Sequence, residues 1–304
     1  LPQQTVVKNF GKEETMETKS LRKFLFPGVG IVVLLAVVLG IVVWIVQASA
    51  LPPTATETAV ATKTAGDQSD ADASATAAIQ QDFLDAVRDA AIAEPDEVSD
   101  DLTAITANNT DLIWNGEPGT SDVLVATWTS WDGYDTMAGK PMTLTREIWV
   151  TVAPQVQTFC RDYLSTHSVQ TSQGSPDDHV DLTLRLEQLL GLPPDNGKTK
   201  FVEMWVGPDD LFRPSPDPEI TDSEAELDFP TSSAPAGDDD AAYRTWFNDL
   251  KSQSYGEGGY PWTRLGYTYD WGNPDTEVGL SEFVVETGSQ VEISTVTATE
   301  AYCR

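Results

Sequence analysis

Between Tyr260 and Glu282 the chain reads YPWTRLGYTYDWGNPDTEVGLSE, so that Trp262, Tyr267, Tyr269 and Trp271 lie among Arg264, Asp270, Asp275, Glu277 and Glu282. Aromatic rings beside carboxylates suit a polar ring such as a sugar. The rings stack on its apolar face while the carboxylates accept from its hydroxyls. Chemistry on a glycosidic bond would need two carboxyls at a set separation, one of them held protonated. Asp270 and Glu282 are the pair this stretch offers. A ligand set of Trp262, Arg264, Tyr269, Asp270, Trp271 and Glu282 follows from that reading. The same residues also build a rigid hairpin, with Gly272-Asn273-Pro274-Asp275 as its turn and the rings laid over a sheet. The sequence alone leaves both readings open.

A second acidic stretch runs from Gly207 to Asp228. Asp209, Asp210, Asp217 and Glu219 are oxygen donors of the kind Ca²⁺ takes, although the spacing of an EF-hand loop is missing. Arg213 is expected to pair with one of the nearby carboxylates. No other cofactor is expected. His167 and His179 fit no metal-ligand spacing, and there is no G-x-S-x-G elbow or Walker A loop. The sequence therefore assigns no catalytic residue and points toward a non-catalytic protein.

The two cysteines, Cys160 and Cys303, form an even set and suggest one disulfide in an oxidising compartment. A loop of about 140 residues closed this way would stabilise the fold by roughly 4–5 kcal/mol in the chain-entropy model.

The element that decides where these residues work is Phe24–Val46, an apolar run without a charged residue. A hydrocarbon core about 30 Å thick calls for roughly 20 apolar residues of helix, and this run supplies them. Lys19, Arg22 and Lys23 precede it, which places the amino end in the cytoplasm and the rest outside. The expected organisation is a cytoplasmic tail at 1–23, a transmembrane helix at 24–47, a flexible Pro/Thr/Ala-rich stalk at 48–75 and an acidic domain at 76–304. The lipid bilayer is thus one partner, through 24–47. Ala48-Ser49-Ala50 also has the form of a signal-peptidase site, so a secreted protein starting at Leu51 is the alternative. Met16 opens what would be a complete export signal by itself.

Of the 304 residues, 51–304 hold 13 Lys/Arg against 45 Asp/Glu, a net of −32 within a total of −30, because 1–50 carry five against three. Such a surface repels a phosphate backbone and excludes nucleic acid as a partner.

Within the domain the periodicity predicts a first helix over 76–93 and strands at Val123–Trp131, Met142–Val152 and Lys200–Val206, the first two pairing antiparallel. A helix after Pro154 carries Val156, Cys160 and Tyr163 on one face, and a helix capped by Asp181 carries Leu182, Leu186 and Leu189. A helix over Asp240–Lys251 and strands at Arg264–Tyr269, Leu280–Glu286 and Gln290–Thr297 complete it. Helices and strands are interspersed, so the expected fold is α+β with a mainly antiparallel sheet.

FVEMWVGPDDLFRPSPDPEI at Phe201–Ile220 and YPWTRLGYTYDWGNPDTEVGLSEFVV at Tyr260–Val285 resemble segments of uncharacterised exported bacterial proteins with no known activity. The resemblance covers the distal half of the domain and implies a recurring module. The function expected is that of an extracytoplasmic accessory subunit or binding module of an envelope complex. A surface carbohydrate-binding protein or glycoside hydrolase is the alternative.

Overall fold

The computed structural model describes residues 56–167, 181–230 and 238–304. The expected transmembrane helix, the cytoplasmic tail and both candidate starts lie outside the described residues. Among those described, no helix is long and apolar enough to cross a membrane.

The described chain enters through α1, Thr56–Asp89. This helix covers 56–75, where the sequence predicts a flexible stalk. The run lacks large apolar residues, but it is rich in alanine, which has the best helix propensity, and it contains no proline between Pro53 and Pro95. Its residues 72–78 are exposed, while Phe83, Ala86, Val87 and the following Ala90 are buried. The C-terminal end of the helix therefore docks on the domain.

Nine strands follow: β1 Val123–Thr129, β2 Lys140–Thr143, β3 Ile148–Val152, β4 Lys200–Val206, β5 Leu211–Phe212, β6 Tyr267–Tyr269, β7 Val278–Ser281, β8 Phe283–Val285 and β9 Gln290–Ala298. Seven of them form a central sheet in the order β2-β9-β4-β1-β3-β8-β5, every pair antiparallel. The other two, β6 and β7, pair in a separate ribbon. The α+β architecture with an antiparallel sheet is as expected. Met142–Val152, read as one strand, is two: β2 pairs with β9 and β3 pairs with β1. Between them Leu144-Thr145-Arg146-Glu147 carries the chain from one partner to the other, and these partners lie on either side of β4 in the sheet order.

Period-two alternation sends the side chains of β1 to two cores. Val123 and Val125 join Val150, Val152, Val202, Met204, Val206, Phe283 and Ile293 on one face. Leu124, Ala126 and Trp128 join Phe201 and two helices on the other. These helices are α2, Gln155–His167, and α3, Leu182–Leu189, where the Asp181 carboxylate accepts from the Leu184 amide as its cap. Because both faces are covered, the central strands read as nearly continuous apolar runs.

A further helix, α4, spans Asp238–Ser254. The loop ahead of it is organised around Arg213, which is fully buried. Its guanidinium donates to the carbonyls of Glu224, Asp222 and Thr103 and pairs with the Asp222 carboxylate at 3.3 Å. Gly266, at φ +76°, lets the chain pass close to it; a Cβ there would sit 2.6 Å from the Arg213 Cδ.

The Cys160–Cys303 disulfide ties α2 to the end of the short helix α5, Thr299–Tyr302, across a separation of 143 residues. Beside it Tyr302 stacks on Phe201, which stacks on Trp128.

Candidate functional site

In the 260–271 stretch the Trp262, Tyr269 and Trp271 rings are held by the fold, whereas Tyr260 is half exposed. Trp262 is 6% exposed, donates its indole N–H to the Pro214 carbonyl and meets Trp149, Trp246 and Phe247. Arg264 is buried at φ +64° with its guanidinium on the Ala90 carbonyl and over the Tyr255 ring. Tyr269 donates its hydroxyl to Asp89 of α1, and Trp271 donates to the Leu192 carbonyl with its ring edge-on to Phe83. Asp270 is 3% exposed and held on both oxygens by Arg185 of α3, at 2.7 and 2.5 Å.

Asp270 and Glu282 line different clefts. Asp270, Tyr269 and Trp271 border an acidic groove of about 460 Å³ between α1 and the β6–β7 turn. Glu282 faces a second cavity, of about 290 Å³, together with Trp128, Trp149, Lys198 and Thr151. A glycosidase pair would require both carboxyls in one cleft.

In the 207–228 loop, Asp217, Glu219, Asp222 and Glu226 lie close enough to the buried Arg213 guanidinium to act on its charge. Asp209 and Asp210 lie in a turn of 3₁₀ helix at Pro208–Asp210. The Asp217 side chain accepts from the Glu219 amide, and the Glu219 carboxylate accepts from the Thr221 amide. Among the described residues no group of three or more His, Cys, Asp or Glu is placed to hold a metal ion.

The Glu282 cavity arises where the sheet divides. β1 and β3 pair only at Val125↔Val152 and Ala126↔Thr151. Beyond that point β1 follows β4 through Thr129↔Lys200, whereas β3 follows β8 through Trp149↔Val284. The Ala153 amide donates to the Leu124 carbonyl, so alternation turns the main-chain groups of Trp128 toward the gap that β3 leaves. Lys198 fills part of it, its ammonium donating to the Trp128 carbonyl at 3.0 Å. Burial draws the pKa of that ammonium below its ordinary value.

Glu282 follows β7 and precedes Phe283, the partner of Val150. Alternation therefore sets it beside Thr151, on the face that carries Trp149. Two layers cover this face: α2 and α3 over Ala126 and Trp128, and α4 with Trp262 over Trp149 and Phe212. The cavity is the space between them, kept open by the small side chains of Ala126, Thr151 and Thr268. Leu190 and Leu192 wall it. Trp131, Tyr134 and Arg146 also line it; Trp131 is 44% exposed and lies beneath the Arg146 guanidinium, whereas Tyr134 is buried. Glu147 is occupied by the Trp246 indole N–H. The Glu282 carboxyl has no hydrogen-bond or ion-pair partner among the described residues, and desolvation pushes its pKa up to about 8. The side chain is only partly buried in the cavity wall.

Glu282 was within reach of the sequence as one of many carboxylates. Lys198, Trp128, Trp149, Thr151 and Arg146 were not, because they meet only through the division of the sheet. No family model, curated protein or solved structure matches the chain.

Proposed function

We propose that the chain is a single-pass, membrane-anchored extracytoplasmic binding module, an accessory subunit of a membrane complex rather than an enzyme. The observation that carries this reading is the divided-sheet cleft. It offers the half-buried Trp149 ring and a carboxyl without a partner among the described residues, while the other carboxyl considered for chemistry is fixed in an ion pair in a different groove. The carbohydrate reading loses its platform, since the Trp262 ring is enclosed and the Trp271 ring is taken up by Phe83 and the Leu192 carbonyl. The disulfide supports export, because such bonds persist in oxidising compartments. In this reading 24–47 holds the lipid bilayer, the amino end is cytoplasmic and the acidic domain works outside.

The test is an intact mass and amino-terminal sequence of the native protein, followed by native mass analysis after mild detergent extraction. The reading expects a retained apolar helix and a co-extracted partner. A soluble chain beginning at Leu51, or a solitary monomer in every detergent, would overturn it.

A further inference from the structure

The cleft has a chemistry more specific than an apolar pocket. A carboxyl withdrawn from bulk water is stable with a cation beside it or with a proton on it. Glu282 has no cation within ion-pairing distance among the described residues. Lys198 lines the same cavity but commits its ammonium to the Trp128 carbonyl, and Arg146 lies over Trp131. The remaining ionisable groups there are Glu147, engaged by Trp246, and Tyr134, a neutral phenol whose pKa burial raises. At about 290 Å³ the space is at the small end of ligand pockets, which run from about 300 to 1,000 Å³. Indole faces attract cations, and a chain of net charge −30 draws them in.

We propose that the divided-sheet cleft binds a small organic ammonium, its cationic head on the Glu282 carboxylate and its apolar body along the half-buried Trp149 indole. This rests on the binding-module reading and names the ligand class for it. The ammonium enters charged, the Glu282 carboxylic acid gives its proton to the solvent, and an ion pair replaces the neutral acid. Binding near pH 7 therefore releases protons to the solvent. Affinity rises by up to about tenfold per pH unit toward pH 8 and levels off above it.

The experiment is titration calorimetry of the full-length chain in detergent micelles, with 2-phenylethylamine as probe and 2-phenylethanol and 3-phenylpropionate as its neutral and anionic counterparts. Repeating it in buffers of different ionisation enthalpy counts the protons. Phenylethylamine is expected to bind with proton release, and to bind Glu282→Gln at least tenfold more weakly at pH 8. The melting temperature of that variant, which keeps the shape of the side chain, reports that it is folded. Equal binding by Glu282→Gln, proton uptake, or no heat with phenylethylamine would each overturn the proposal. Tighter binding of phenylpropionate would also overturn the ligand class, while leaving the cleft a recognition site and the binding-module reading intact.

Discussion

Asp270 and Glu282 both belong to the packed part of the domain and both lie near indole rings, yet their surroundings differ in one respect. Asp270 meets Arg185, which the capped helix α3 carries to it, and the pair closes two charge-assisted hydrogen bonds. Glu282 leaves the sheet opposite a threonine, where no helix delivers a cation, and faces a cavity. The difference separates two uses of an interior carboxyl. One is satisfied internally and pins α3 to the β6–β7 ribbon; the other is left for something that enters.

The contrast can be broken most forcefully at Arg185. Arg185→Leu leaves Asp270 buried without its partner, and such a loss typically costs about 3–5 kcal/mol. Urea denaturation at pH 7 should show a drop of this order; a change below about 1 kcal/mol would mean that Asp270 was never dependent on the pair.

Glu282→Gln sharpens the other side. The folded pKa of about 8 stands above the ordinary carboxylate value of 4.5, so the folded state holds the proton more tightly. The resulting stability is fully present below about pH 4.5 and is lost as pH rises through about 8, at no more than about 1.4 kcal/mol per pH unit. Thermal melts of the variant should match the wild type near pH 4.5 and exceed it increasingly toward pH 8. Parallel pH profiles would place the carboxyl in water.

Trp131→Ala should have the smallest effect on stability. The ring lines the cleft and is 44% exposed, and such surface changes stay within about 1 kcal/mol. Its effect should appear as weaker phenylethylamine binding at an almost unchanged denaturation midpoint.

How far the sequence could lead depended on whether a signal was local. β4 was legible to the residue, because its apolar and β-branched positions lie between turn signals. The Asp181 cap, the α2 face and the disulfide were legible for the same reason: each is set by nearby residue types or by a cysteine pair without competitors. The break between β2 and β3 was not, since it depends on β9 arriving from far along the chain. Aromatic density at 260–271 drew attention to rings whose direction only packing decides. The cleft itself combines residues from 126 to 282 and has no local signature.

The disulfide and β9 also govern how the domain can come into being. β9 fills the place between β2 and β4, and Cys303 follows it. While the nascent chain is still short of residue 290, β4 presents an unsatisfied edge and Phe201 lacks the Tyr302 ring that covers it. Any polypeptide terminated before that point would carry an open border prone to self-association. The β4 edge is closed only once residues 290–302 are in place.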